Sequence, residues 1–127
     1  MDTPLVTFEL REKYLLVTGH GQRNNLSSMA EAAAQIYAMI HETGSRYLLV
    51  DYRKLHMNVH RTEAFNIVKR YEVVQPGLKD ILIAAVFEDH GLEFGKSWRD
   101  IARQRGFHIE IFLDLAVAEA WLVNQIV

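Results

Sequence analysis

The chain has no cysteine and only two prolines in 127 residues. Without cysteine there can be no disulfide, no thiolate nucleophile and no cysteine-based zinc site, and the composition suits a reducing compartment, so the expected location is the cytoplasm. With only Pro4 and Pro76 as proline breaks, and no Gly/Ser/Pro-rich linker, biased tract or internal repeat, residues 1–127 read as one domain. Charge of one sign is also lacking. Fourteen Lys and Arg stand against 16 Asp and Glu, a net charge of -2, which leaves no basic field to hold nucleic-acid phosphates. No apolar run approaches the roughly 20 residues of a membrane span. Met1-Asp2-Thr3-Pro4 lacks the basic start and apolar core of a signal peptide. The expectation is a soluble protein, at most peripheral to the inner face of a membrane.

What is present is apolar material in a regular order. Half of the residues are hydrophobic, enough for one core with helices laid on a sheet. Val6, Phe8 and Leu10 alternate with Thr7 and Glu9, the period of a half-buried strand. Arg11-Glu12-Lys13 is short enough for a hairpin turn into Tyr14 to Thr18. Asn24, Asn25 or Ser27 can cap a helix carrying Leu26, Met29, Ala30, Ala33, Ile36, Tyr37 and Ile40 at spacings of three and four, closed near Gly44. Arg46 to Tyr52 and Ile81 to Phe87 have no wet face and read as interior strands covered on both sides.

Between those strands, Asn58 to Gln75 predicts a second helix with Ala64, Ile67, Val68, Tyr71 and Val74 as its buried stripe, stopped by Pro76-Gly77. A third helix, Leu92 to Arg105, buries Phe94, Trp98, Ile101 and Ala102 and ends at Gly106. Phe107 to Phe112 is the last strand, and Asp114 caps a final helix on which Val117, Ala118, Trp121 and Leu122 share a face. The order is β-β-α-β-α-β-α-β-α. It predicts an α/β fold: a single mixed, mostly parallel five-stranded sheet with four helices and an antiparallel N-terminal edge strand.

This order resembles that of the SpoIIAA-like family of STAS-type domains, and the resemblance spans the chain. It is carried by Leu48-Leu49-Val50-Asp51-Tyr52-Arg53, similar to the family's apolar strand ending in an Asp/Arg turn, and by the closing Phe112-Leu113-Asp114 to Trp121-Leu122. The wider superfamily includes anti-anti-sigma regulators, transporter-attached STAS domains and small proteins related in fold to lipid-binding CRAL-TRIO domains. The resemblance therefore implies binding and not turnover. Anti-anti-sigma members carry a phosphorylatable serine or threonine at the start of the helix after the central strand, where added phosphate charge breaks a partner interface. Here that stretch is Lys54 to Thr62, with no serine and with Thr62 several residues late. The resemblance does not extend to a phosphoswitch.

If the last four strands are parallel, their carboxyl ends gather His20, Arg23, Asp51, Arg53, His56, His60, Asp89 and His90 on one sheet edge, where ligands of open α/β sheets bind. Loops are polar in any case, so the cluster alone does not define a site. His56 and His60 are four apart, a spacing that aligns two imidazoles on one helical face and that with Asp89 or His90 could ligate zinc, but His56 precedes the helix start and no His-Glu-x-x-His pattern accompanies them, so they read as exposed or capping histidines. Ser27, Ser28, Ser45 and Ser97 lack a nucleophile elbow. Gly19-x-Gly21 is too short for a dinucleotide fingerprint, and Glu88-Asp89-His90-Gly91 reads as well as a solvated turn as an acid/base pair. No enzyme activity, metal or cofactor is expected.

The second helix carries an apolar surplus, Met57, Val59, Phe65 and Val73-Val74, beside its core stripe. A broad core face or a homodimer contact accounts for it, or an apolar ligand or a membrane-facing lid. Arg53, Lys54, Arg61, Lys69 and Arg70 nearby suit an anionic bilayer and equally an ordinary helix surface. The leading expectation is a non-enzymatic domain holding a small apolar or lipid-like molecule between the sheet and its second or third helix, with peripheral membrane contact. Its binding residues would be Asp51, Arg53, His56, His60, Phe65, Asp89 and His90. The alternatives are a STAS-type protein-interaction module using Asp51 to Thr62 without phosphorylation and, least favoured, a hydrolytic or metal enzyme.

Overall fold

The computed structural model describes residues 4–126, so Met1 to Thr3 and Val127 lie outside the described residues. The main sheet has the order β1-β2-β4-β6-β7, formed by β1 (Val6–Leu10), β2 (Leu15–Gly19), β4 (Tyr47–Asp51), β6 (Leu82–Val86) and β7 (His108–Phe112). β1 runs antiparallel to β2, and every other pairing is parallel. Among the described residues four α-helices, α1 (Leu26–Thr43), α2 (Thr62–Val74), α3 (Asp89–Gln104) and α4 (Leu115–Gln125), and a 3-10 turn at Pro76–Asp80 complete the fold. The α/β architecture is thus the one the order of elements predicts.

Alternation along the interior strands divides the core in two. Leu48, Val50, Ala85 and Phe87 face α1, α2 and α3, where Met29, Ala32, Ile40, Ala64, Ile67, Val68, Phe94, Trp98 and Ala102 pack against them. Leu49, Ala84 and Val86 face the other way, toward Ala118 and Leu122 of α4. Three helices therefore cover one face and a single helix covers the other, which is why successive residues of these strands can all be apolar. The helix caps match the sequence: the Asn25 side chain accepts from the Ser28 N–H at 2.8 Å, the Asp114 side chain accepts from the Val117 N–H at 2.9 Å, and Gly44 closes α1 in the left-handed region at φ 70°.

Four expectations need correction. A second, two-stranded parallel sheet joins β3 (Gln22–Arg23) to β5 (His56–Met57), with the His56 N–H donating to Gly21 and the Asn58 N–H to Arg23. Because residues 56–57 are extended, the second helix begins at Thr62 and not at Asn58. The third begins at Asp89 and not at Leu92, which lifts Asp89 and His90 out of the preceding loop. Val74 and Val117, expected in buried stripes, are 50% and 57% exposed, because each lies at a helix edge that no other element covers. The apolar surplus on α2 is real: Phe65 and Val73 are exposed as well.

Candidate functional site

The parallel strands bring the predicted residues to one edge but sort them into separate local pairs. Asp51 ends β4, and Arg53 folds back on it: Nε and Nη2 donate to the two carboxylate oxygens at 2.9 Å each, and the Arg53 N–H adds a third bond. Burial alone would raise the Asp51 carboxyl, but the Arg53 hydrogen bonds and the Arg53 and Lys54 charges outweigh it and hold the group below its usual range. This pair is satisfied within the chain.

The histidines associate differently from the expected four-residue spacing. His56 lies on β5 and His60 precedes α2, so they share no helix face. His60 accepts from the Thr62 N–H through Nδ1 at 3.2 Å and serves as a local cap. His56 stacks instead on His90 of α3, with ring centroids 4.9 Å apart. Nε2 of His90 also lies 3.2 Å from the Leu55 carbonyl. Asp89 is exposed in the first turn of α3, and Phe65 stands apart from the histidines, its ring under the Arg105 guanidinium at 4.8 Å. Among the described residues no three His, Asp or Glu side chains converge as a metal site would require.

The feature that the sequence does not disclose lies beneath this edge. Between the sheet and α1, α2 and α3 lies a partly open cavity of two adjoining lobes. The first, about 50 Å³, is lined by Arg23, Met29, Leu55, Met57, Ile67, Phe87 and Phe94, together with Ala33, Ile36, Tyr52, Tyr71 and Trp98. The second, about 40 Å³, shares those last five residues and continues along Leu48, Val50, Leu78, Ile83, Phe107 and Ile109. Met57 and Phe94 separate the first lobe from an outer groove of about 430 Å³ that they line with Val59, His60, Arg61, His90 and Glu93.

Arg23 is the exceptional wall residue. It is only 2% exposed, and no carboxylate among the described residues lies within ion-pair distance. Its Nη2 donates to the Leu5 carbonyl at 2.7 Å, and its Nη1 to His20 at 3.0 Å and Gln22 at 3.5 Å. Burial lowers its pKa, yet a guanidinium stays protonated in proteins, so the cavity wall carries a permanent positive charge. Burial raises the Tyr52 phenol, with the Arg23 charge pulling the other way, and raises Tyr71, whose hydroxyl accepts from Trp98 Nε1 at 3.3 Å. All three aromatic side chains line both lobes.

No protein-family model matches the chain, and no curated protein does. A solved structure does: a DUF3478-family protein with a SpoIIAA-like fold from Shewanella loihica PV-4, at a TM-score of 0.56 over 96% of this chain and 98% of that one, with 15% sequence identity. The fold is SpoIIAA-like. Within this SpoIIAA-like frame the Asp51–Arg53 turn sits at the carboxyl end of the central strand, and the cavity lies under the three-helix face. At 15% identity the match speaks for the fold alone. Sequence reasoning set Arg23 among the edge loops but could not see its burial, because arginine is ordinarily exposed and a two-residue strand has no periodicity.

Proposed function

We propose that this chain is a non-enzymatic binding protein that takes a small apolar or lipid-like molecule into the cavity between its sheet and helices α1 to α3. The observation carrying the proposal is the two-lobed cavity itself, walled almost entirely by apolar and aromatic side chains. Unfilled apolar space is not neutral: at roughly 24 cal/mol per Å³ for a fully enclosed cavity, each lobe costs at most on the order of 1 kcal/mol. A ligand that fills them recovers that loss and adds buried apolar area.

The lobes are far smaller than the roughly 300–1,000 Å³ of pockets that hold drug-sized ligands. Entry therefore needs the wall to give. Met57 and Phe94 are the thin place, because they line both the inner lobe and the outer groove. Methionine is the side chain best able to re-pack. Displacing it would join cavity and groove into a volume suited to a longer molecule. The exposed Phe65, Val73 and Val74 on α2 offer apolar surface for approach to a membrane, although no helix among the described residues is long and apolar enough to cross one.

Organic extraction of the natively purified protein followed by mass spectrometry tests the reading, with titration of apolar probes followed by the fluorescence of Trp98, which is 6% exposed on the cavity wall. The expected result is a co-purifying apolar compound or a saturable change in Trp98 emission that is absent from Trp98→Phe. An empty extract together with an unresponsive Trp98 would remove the support for a binding cavity.

A further inference from the structure

Resting on the cavity reading above, we infer that the ligand is a short-chain apolar monocarboxylic acid whose carboxylate is held by Arg23 and whose few carbons lie in the second lobe, which at about 40 Å³ holds a short tail. The wall is polarised end to end. Arg23 is the charged residue of the first lobe, while the second lobe carries none; Leu78, Ile83, Phe107 and Ile109 form its far part. Tyr52 lines both lobes and adds a phenol that feels the Arg23 charge. A molecule matching this wall has one anionic end and an otherwise apolar body.

The unengaged donors of Arg23 set the head group. Its contacts to the Leu5, His20 and Gln22 carbonyls leave the Nε–H and a second Nη2–H without an acceptor among the described residues. No second cation accompanies them in the lining, as a doubly charged phosphate would favour. A carboxylate needs only such a fork. Within this chain the same chemistry is already made once, where Nε and Nη2 of Arg53 grip both oxygens of Asp51. Among the described residues Arg23 has no paired counter-charge, and for a cation so buried an anion supplied in trans converts the cost of burial into affinity. The acidic residue whose charge Arg23 feels is Glu31, which is exposed on α1 and forms no ion pair with it.

Calorimetric titration of the full chain with butanoate, butanol and butyl phosphate, three probes with one short tail, tests the inference without any variant. The expected result is butanoate binding at least tenfold more tightly than either of the others, with Arg23→Met, of similar length and no charge, abolishing that preference while far-UV circular dichroism is retained. Equal affinity for butanoate and butanol would overturn the carboxylate assignment and leave the apolar cavity standing. A preference for butyl phosphate would overturn it in favour of a phosphate head. Failure of all three to bind would overturn both this inference and the cavity reading, leaving water as the sole occupant beside Arg23.

Discussion

The rings of His56 and His90 stack with their planes 24° from parallel, joining β5 to the first turn of α3. With the contact from His90 Nε2 to the Leu55 carbonyl, this stack fastens the strap that carries Met57 over the cavity. Removing the imidazole in His90→Ala deletes both interactions at a partly exposed position, where about 1 kcal/mol is at stake. Local opening of the strap should rise about fivefold. The amides of His56 and Asn58, bonded to Gly21 and Arg23, report it by hydrogen exchange, while β4 amides stay protected. Unchanged exchange at both amides would show that the histidines do not hold the strap.

The layout of the sheet is legible in the sequence because a strand covered on both faces must be apolar at every position, and Leu48-Leu49-Val50 and Ala84-Ala85-Val86 are. Helix ends are legible where Asn25, Gly44 and Asp114 supply the cap chemistry. The edge is where reading from sequence loses its hold. Strand order gathers His56, His60 and His90 on one edge, but periodicity relates residues only within one element, so nothing in the sequence selects His90 over His60 as the partner of His56. The start of α2 was displaced for a similar reason: Asn58 bonds Gln22 and Asn24 across space, and β5 exists only because β3 is there to pair with it. Asp51 and Arg53 were visible as a charged turn, but not as a closed pair.

Gly95 is occupied by its neighbour's ring. A Cβ there would meet Phe87 carbons at 2.8, 2.9 and 3.1 Å, and Phe87 is 1% exposed with Trp98 against it. In an open helix Gly→Ala would gain roughly 1 kcal/mol. Here overpacking, at about 1–3 kcal/mol, outweighs that gain. Gly95→Ala should destabilise the fold by up to about 2 kcal/mol in urea unfolding. Gly95→Ala combined with Phe87→Leu should lose less than the sum of the single changes, since Leu frees the space that the methyl needs.

The Arg53 grip on Asp51 makes stability depend on pH at the acid end. The folded-state pKa of Asp51 is depressed below its unfolded value of about 3.9. The contribution is therefore complete above about pH 4 to 5 and is lost as pH falls through the folded pKa. Because the Arg53 side chain is 38% exposed, solvent screening holds the effect to about 1 kcal/mol. Arg53→Met should cost that amount at pH 7, and the two unfolding midpoints should approach each other as pH falls below about 4. A difference that stays constant to pH 2 would assign the loss to packing and not to the ion pair.

The alkaline end has its own marker on the opposite face of the sheet. Tyr14, 8% exposed, donates its phenolic hydrogen to Glu119 of α4, and burial together with that carboxylate raises its pKa to about 12. Unfolded tyrosine ionises near pH 10. Below that value both states hold the proton and the contribution is complete; as pH rises toward 12 the unfolded state ionises first, and stability drains away. The phenol tip reaches an exposed carboxylate, so about 1 kcal/mol is expected and not the full linkage value. Tyr14→Phe should lower stability by that amount at pH 7 and the gap should close between pH 10 and 12. Tyr52 and Tyr71, also raised, titrate in both proteins and cancel in the difference. A gap that persists at pH 12 would mean that Tyr14 acts there through packing alone.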